Sequence, residues 1–305
     1  MRDVVIKTHN LTKKYGSFTA LENANMTIYQ GDIYGLIGRN GAGKTTAMKI
    51  LTGLTDQTDG DYEIFGKSSK DSASIRRRVG CLIENPAFFE NMTAYQNLRY
   101  YCYQKGIADL SKIDEVLDFV NLQDAKNKKF KTFSLGMKQR LGIAFAIMDN
   151  PDLVVLDEPI NGLDPIGIAE LRDTFHMLAH ERGMTLMISS HILSELYALA
   201  NRFLIIDHGR VLKEISKEEL DNECSRATVL RVNDVKGTCV ILERDHQIKN
   251  FKVIDDGEIR IYDEHLKTAG LNRSLVQSGI EVSQIFEAGI SLEEYFKKVI
   301  EEEER

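Results

Sequence analysis

Gly38-Arg39-Asn40-Gly41-Ala42-Gly43-Lys44-Thr45 carries the spacing G-x-x-x-x-G-K-[ST]. Those residue types suit one task, holding the terminal phosphates of a nucleoside triphosphate. Glycines let backbone N–H groups close around β- and γ-phosphates, and a following helix N-terminus adds a favourable dipole. Lys44 reaches the terminal phosphates, and the Thr45 hydroxyl can ligate Mg2+. Gly38, Asn40, Gly41, Gly43 and Thr46 complete the cradle. A second pair of candidates, Asp157 and Glu158, ends the apolar run Leu153-Val154-Val155-Leu156. Beside a triphosphate, adjacent carboxylates divide two tasks. Asp157 suits Mg2+, directly or through water, and Glu158 suits the general base that activates the attacking water. His191 closes another such run, Thr185 to Ser190, and is read as part of the same site. Tyr15 has two open readings, a ring stacked on an adenine or an ordinary exposed turn aromatic.

These residues work together only if the chain brings them together. Ile33-Tyr34-Gly35-Leu36-Ile37 reads as a buried strand before the glycine loop, and Thr46 to Leu51 as the helix after it. Continuous apolar runs mark strands buried on both faces of a parallel sheet. In such sheets the site lies beyond the strand carboxyl ends, which puts Asp157, Glu158 and His191 beside the phosphate loop. Val4 to Thr8 and Leu21 to Ile28 read as strands joined by a turn at Tyr15-Gly16-Ser17, and Tyr62 to Phe65 as a strand ended by Gly66. Ser74 to Val79 reads as a short helix before the apolar Gly80 to Ile83. Residues 86–149 read as a mainly helical insertion, in which Thr93 to Gln96 has capping-box spacing and Ser111 opens a helix with the stripe Ile113, Val116, Leu117 and Val120. Phe88 and Phe89 are either core plugs or docking knobs. Beyond about Lys217 the pattern becomes strand, helix, a hairpin at Asp256-Gly257, a helix over Glu264 to Gln277, a strand and a final helix capped at Ser291. That is a split βαβ layout with no catalytic constellation.

The 305 residues suit two domains, and 43% hydrophobic with 28% charged residues is ordinary for a soluble globular chain. A net charge of -7 argues against a nucleic-acid partner. Arg76-Arg77-Arg78, Lys126 to Lys131 and the terminal Glu301 to Glu304 read as solvated faces and ends. No apolar run approaches the about 18 residues needed to span a bilayer, and Met1 to Lys7 has no signal-peptide core. Four cysteines without a C-x-x-C pair read as reduced thiols of a cytosolic protein.

One further stretch decides the family. Phe133-Ser134-Leu135-Gly136-Met137-Lys138-Gln139-Arg140 resembles the signature motif of ATP-binding-cassette ATPases, LSGGQ followed by basic and amide residues. Asn161-Gly162-Leu163-Asp164 resembles their D-loop, and His191 their switch histidine. Residues 1 to about 216 hold all these motifs in family order. The resemblance implies that Ser134 and Gly136 offer a hydroxyl and N–H groups to a γ-phosphate held by another copy, so that ATP and Mg2+ sit in a head-to-tail dimer with Asp164 at the shared site. Leu135 and Met137 depart from the consensus Gly and Gln. Glu84 matches the Q-loop glutamine, which contacts Mg2+ and relays to a membrane subunit. Glu84 is expected to face the metal and to serve catalysis.

The glutamate, the SLGMKQR signature and a small C-terminal domain resemble the bacitracin-export and lantibiotic-immunity branch. The resemblance implies an α/β fold: a P-loop ATPase core of the ABC type over residues 1–216 with its helical subdomain at about 86–149. Residues 217–305 form a small α+β accessory domain of split βαβ type. The function implied is that of the ATP-hydrolysing subunit of a peptide-antibiotic exporter, acting on separate transmembrane permease chains at the inner face of the cell membrane. A soluble non-transport cassette protein and an importer ATPase with a regulatory C-terminal domain are the competing classes. The substrate belongs to the permease and is not legible here.

Overall fold

The computed structural model describes residues 2–68, 75–84, 87–224, 227–254, 257–263, 266–289 and 291–303. The chain divides into two compact units, Met1–Lys217 together with Val299–Arg305, and Glu218–Lys298. Among the described residues no helix is long and apolar enough to cross a membrane.

The first unit opens with β1 (Val4–Tyr15), β2 (Phe18–Ala24), β3 (Thr27–Tyr29) and β4 (Ile33–Ile37). Helix α1 (Lys44–Leu51), β5 (Asp59–Ile64), β6 (Lys67–Ser68) and β7 (Val79–Leu82) follow. Three helices come next, α2 (Ala94–Lys105), α3 (Ser111–Phe119) and α4 (Leu135–Ile147). Then come β8 (Leu153–Leu156), α5 (Pro165–His180), β9 (Thr185–Ser190), α6 (Leu193–Leu199), β10 (Arg202–Asp207) and β11 (Arg210–Ser216). Their strands make one eleven-stranded sheet in the order β6-β5-β1-β2-β11-β10-β4-β9-β8-β7, with β3 beside β1. The stretch from β10 through β4, β9 and β8 to β7 is parallel. Strands β4, β8 and β9 are buried along their whole length, the reason they read as unbroken apolar runs.

The antiparallel end departs from the sequence expectation. A single strand over Leu21 to Ile28 is expected, but the chain breaks after Ala24. Strand β1 is long enough to pair β2 along its second half and β3 along its first. The chain crosses from one to the other at Asn25, whose side chain bonds the backbone and side chain of Asn10. Beside the crossing, the buried Thr8 hydroxyl donates to Ala24 O and accepts from the Met26 N–H. At the expected helix over Ser74 to Val79, Ile75 and Arg76 are helical, Val79 already belongs to β7, and Ser74 lies outside the described residues.

The helices α2 to α4 stand between β7 and β8, where a helical insertion is expected. Thr93 and Gln96 form the capping box of α2. Helix α3 begins at Ser111, but its first turn is held by Asp109, which accepts from both the Ser111 N–H and its hydroxyl. The two phenylalanines divide between their two readings. Phe88 is buried edge-on against Tyr101, Phe130 and Phe145, while Phe89 is 45% exposed and meets the ring of Tyr100. Fully buried Asn97 ties this loop down, accepting from the Phe89 N–H and donating to the carbonyls of Phe89, Met92 and Thr93. Asn85 and Pro86 lie outside the described residues.

In the second unit the order is α7 (Lys217–Cys224, which begins one residue earlier), β12 (Ala227–Val232), α8 (Val235–Arg244) and β13 (Phe251–Val253). It continues with β14 (Glu258–Ile261), α9 (Thr268–Gln277), β15 (Val282–Ala288) and the start of α10 (Leu292–Glu303), whose residues from Val299 on are counted with the first unit. The strands form a four-stranded antiparallel sheet, β13-β14-β12-β15, which is the split βαβ arrangement. Leu230, Ile259 and Ile261 of the sheet and Leu242, Leu271 and Leu275 of the helices share its core. Strands β13 and β14 pair as the expected hairpin, although Asp256 of the turn lies outside the described residues. Helix α9 starts at Thr268 rather than at Glu264, which also lies outside them.

Asn97→Ala should lower the stability of the full chain by about 1 kcal/mol, because it takes away the acceptor of the Phe89 N–H and a second donor from three carbonyls that each keep one backbone partner. A fall in the denaturant midpoint with unchanged slope is the expected signature. An unchanged midpoint would mean that the loop does not depend on this side chain.

Candidate nucleotide site

The loop between β4 and α1 is shaped by backbone crowding. Gly43 caps α1 in the left-handed region (φ 109) with no side-chain cap, and a Cβ there would stand 2.6 Å from the carbonyl of Ala20. Glycine therefore takes the position, and the first-turn amides of α1 are left as donors facing the loop. Lys44 is 5% exposed. Its ammonium donates to the carbonyls of Gly38 (2.7 Å) and Arg39 (3.2 Å) and stands 3.3 Å from Glu158 Oε1. A cation so placed is held by its own loop and by the carboxylate across from it.

Strand β9 lies between β4 and β8, with Ile37 opposite Ser190 and Leu156 opposite Ile188. The strand carboxyl ends thus converge, as expected from the runs. Asp157 Oδ2 accepts from Thr45 Oγ1 at 2.7 Å and Oδ1 accepts from Ser189 Oγ at 2.6 Å. The Ser189 hydroxyl also accepts from the Glu158 N–H at 2.9 Å. Glu158 holds φ 49, uncommon for a non-glycine residue, at the point where the chain leaves β8. Its Oε2 lies 2.6 Å from His191 Nδ1. Burial pushes the Glu195 carboxyl up against the opposing pull of His191, with the Glu158 charge adding to the rise. Thr45 and Asp157 present a hydroxyl and a carboxylate side by side, hard oxygen donors that fit Mg2+, a cation that keeps several waters.

The structure thus brings together Lys44, Thr45, Asp157, Glu158 and His191, and adds Ser189, which the sequence reading missed. Its signal was two successive hydroxyls, Ser189-Ser190, at the end of an otherwise apolar strand. Gly38, Asn40, Gly41 and Thr46 lie on the same loop and helix start. Glu84 stands apart. It has φ 62, and its carboxylate accepts from Lys49 Nζ of α1, a bond that holds Lys49 above its ordinary pKa. Its partner is Lys49, not Thr45 or Asp157. Tyr15 is 50% exposed, with Lys13 Nζ 5.0 Å from its ring centroid.

Ser134, Gly136 and Asp164 line a groove of their own, about 490 Å3 in volume, with Leu135, Leu163 and Ile166. Ser134 caps α4, accepting from the Met137 N–H at 3.3 Å. Asp164 caps α5, accepting from the Gly167 N–H at 2.9 Å, with Pro165 at the first helical position. Leu135 and Ile166 leave this groove's wall largely exposed.

The family description ABC transporter matches residues 21–161. The chain is 46% identical over 298 residues to the bacitracin transport ATP-binding protein BcrA of Bacillus licheniformis, covering 97% of each chain. Its namesake in Enterococcus faecalis is 43% identical over 98% of this chain and 97% of the relative. The lantibiotic transport ATP-binding protein SrtF of Streptococcus pyogenes is 45% identical over 72% of this chain and 93% of the relative. Among solved structures, a dimeric ATP-binding cassette in a post-hydrolysis state with ADP and Pi superposes with a TM-score of 0.64. It is 25% identical and covers 70% of this chain and 98% of its own.

Lys44→Ala removes the cation at the centre of the cluster. ATP affinity, followed by equilibrium titration with a fluorescent analogue, should fall by about 10-fold or more, the loss of one charge-assisted contact. Wild-type affinity would remove Lys44 from the phosphate site.

Proposed function

We propose, from the premise that the chain belongs to the ABC transporter ATP-binding family, that it hydrolyses ATP to drive export of a bacitracin- or lantibiotic-type peptide antibiotic. The observation that carries the hydrolytic part is the Lys44, Asp157, Glu158 and His191 cluster at the strand ends. Support for the substrate class comes from the bacitracin relatives. Their match runs through both units of the chain, whereas the lantibiotic relative matches 72% of it.

The chemistry follows from the partners. Loop amides and Lys44 bind and orient the phosphates, Tyr15 stacks on the base, and Glu158 takes the proton of the attacking water. His191 fixes the Glu158 carboxyl through Oε2, and Oε1, 3.3 Å from Lys44 Nζ, meets the water once Lys44 turns to the phosphates. Thr45 and Asp157 would hold Mg2+, which would supply neutralising charge for the phosphates. Ser134, Gly136 and Asp164 line a separate groove. Their reading as nucleotide contacts therefore calls for a second, head-to-tail copy that presents them to the first copy's γ-phosphate. Residues 1–216 hold the ATP site, and 217–305 are an accessory domain. Separate permease chains span the membrane and place the subunit at its inner face. Glu84, tied to α1 through Lys49, is positioned to pass a change at the phosphate loop to that permease, and half-exposed Phe89 belongs to the same docking loop.

Glu158→Gln keeps the shape of the side chain but cannot take a proton. Hydrolysis should fall by roughly 10²- to 10⁴-fold while ATP binding persists, and a nucleotide-bound dimer should accumulate on size exclusion. A monomer at saturating ATP and Mg2+ would sink the shared-site reading.

Co-expression with candidate permease chains tests the transport reading. The wild type should raise bacitracin resistance, and Glu84→Ala should lose that resistance. Equal resistance with Glu84→Ala would make Glu84 a bystander, and no resistance to any peptide antibiotic would overturn the substrate class.

A further inference from the structure

Ser189 is fully buried near the end of β9, among the apolar residues of a strand covered on both faces. A hydroxyl in such a place is costly unless hydrogen-bonded. Both capacities of this one are used. It donates to Asp157 Oδ1 at 2.6 Å and accepts from the Glu158 N–H at 2.9 Å. Thr45 occupies the other Asp157 oxygen, so both oxygens of that carboxylate have a fixed donor and its plane cannot turn. The Glu158 N–H, in turn, belongs to a residue held at φ 49, a backbone state that persists only where surroundings over-determine it.

We propose that Ser189 is a positioning residue for ATP hydrolysis, aligning the metal-holding carboxylate of Asp157 and locking the backbone from which Glu158 reaches the attacking water. The inference rests on the roles proposed for Asp157 and Glu158. One hydroxyl thereby joins two functions that lie on consecutive residues of β8's end but point to different atoms. His191 follows the end of the same strand, two residues after Ser189. An alanine at 189 would free Asp157 Oδ1 to rotate and orphan the Glu158 N–H in a buried place. A threonine keeps the hydroxyl, and a cysteine keeps the volume while bonding only weakly.

The test uses the full chain with Ser189→Ala, Ser189→Cys, Ser189→Thr and Asp157→Asn. Mn2+ affinity in the presence of ATP is read from the free-ion paramagnetic resonance signal, ATP affinity is read without metal, and hydrolysis is followed against Mg2+ concentration. Removing a partner that orients a ligating carboxylate typically costs about 10- to 100-fold in metal affinity or activity. Ser189→Ala should show that loss in Mn2+ affinity and in kcat, with metal-free ATP affinity unchanged. Ser189→Thr should recover most of it. Should the alanine variant fail to fold, Ser189→Cys must show the same direction of loss. Wild-type Mn2+ affinity and kcat in Ser189→Ala, or in Ser189→Cys where alanine does not fold, overturns the proposal. Asp157→Asn separates the two levels. If it binds Mn2+ as the wild type does, the assignment of Asp157 to the metal fails. If it loses Mn2+ while Ser189→Ala does not, only the role of Ser189 fails.

Discussion

Backbone amides can hold a phosphate only if nothing else in the protein satisfies them. At the start of α1 that condition is met by Gly43, which turns the chain through φ 109 and brings no side-chain cap. The surrounding fold enforces it, because the Ala20 carbonyl leaves no room for a Cβ. An ordinary serine or aspartate cap would stabilise the helix and close the site to anions. Contrast α2, α4 and α5, capped by Thr93, Ser134 and Asp164, each of which accepts from an amide of its own helix. At the start of α1, local stability is given up where donors are needed.

Placing two carboxylates next to such a loop raises an electrostatic problem, which the structure solves by giving them different partners. Asp157 receives two hydroxyls, from Thr45 and Ser189, and is nearly buried. Glu158 receives the Lys44 ammonium and the His191 ring and keeps more contact with solvent. Neutral hydroxyl donors saturate Asp157, whereas Glu158 faces a cation and a ring nitrogen. Adjacent residues of the same chemical type thus acquire different surroundings.

The helical insertion and the second unit follow plainer rules. Phe88 and Phe89 are neighbours of the same type, yet one joins an aromatic cluster with Phe130 and Phe145 and the other stays at the surface. Asn97 decides between them by fixing the backbone of the loop. In the second unit, Leu230 and Val232 of β12 and the apolar stripes of α8 and α9 build one small core.

Much of the site was legible because its signals are local. The glycine spacing, the apolar runs of β4, β8 and β9, and the residues that end those runs all lie within a few positions of one another. Together they determined the parallel sheet, the phosphate loop, and Asp157, Glu158 and His191 as its companions. The capping-box spacing at Thr93 and the hairpin of the second unit were legible for the same reason. What the sequence left out depends on distant partners. Ser189 gains its meaning from groups 31 and 32 residues away. The division of β1 between β2 and β3 needed the sheet itself, and so did the choice of Lys49 as the partner of Glu84, 35 positions apart. A hydrogen bond between remote strands leaves no period or spacing along the chain. Only the folded sheet, by bringing β9 between β4 and β8, decided which hydroxyl would hold which carboxylate.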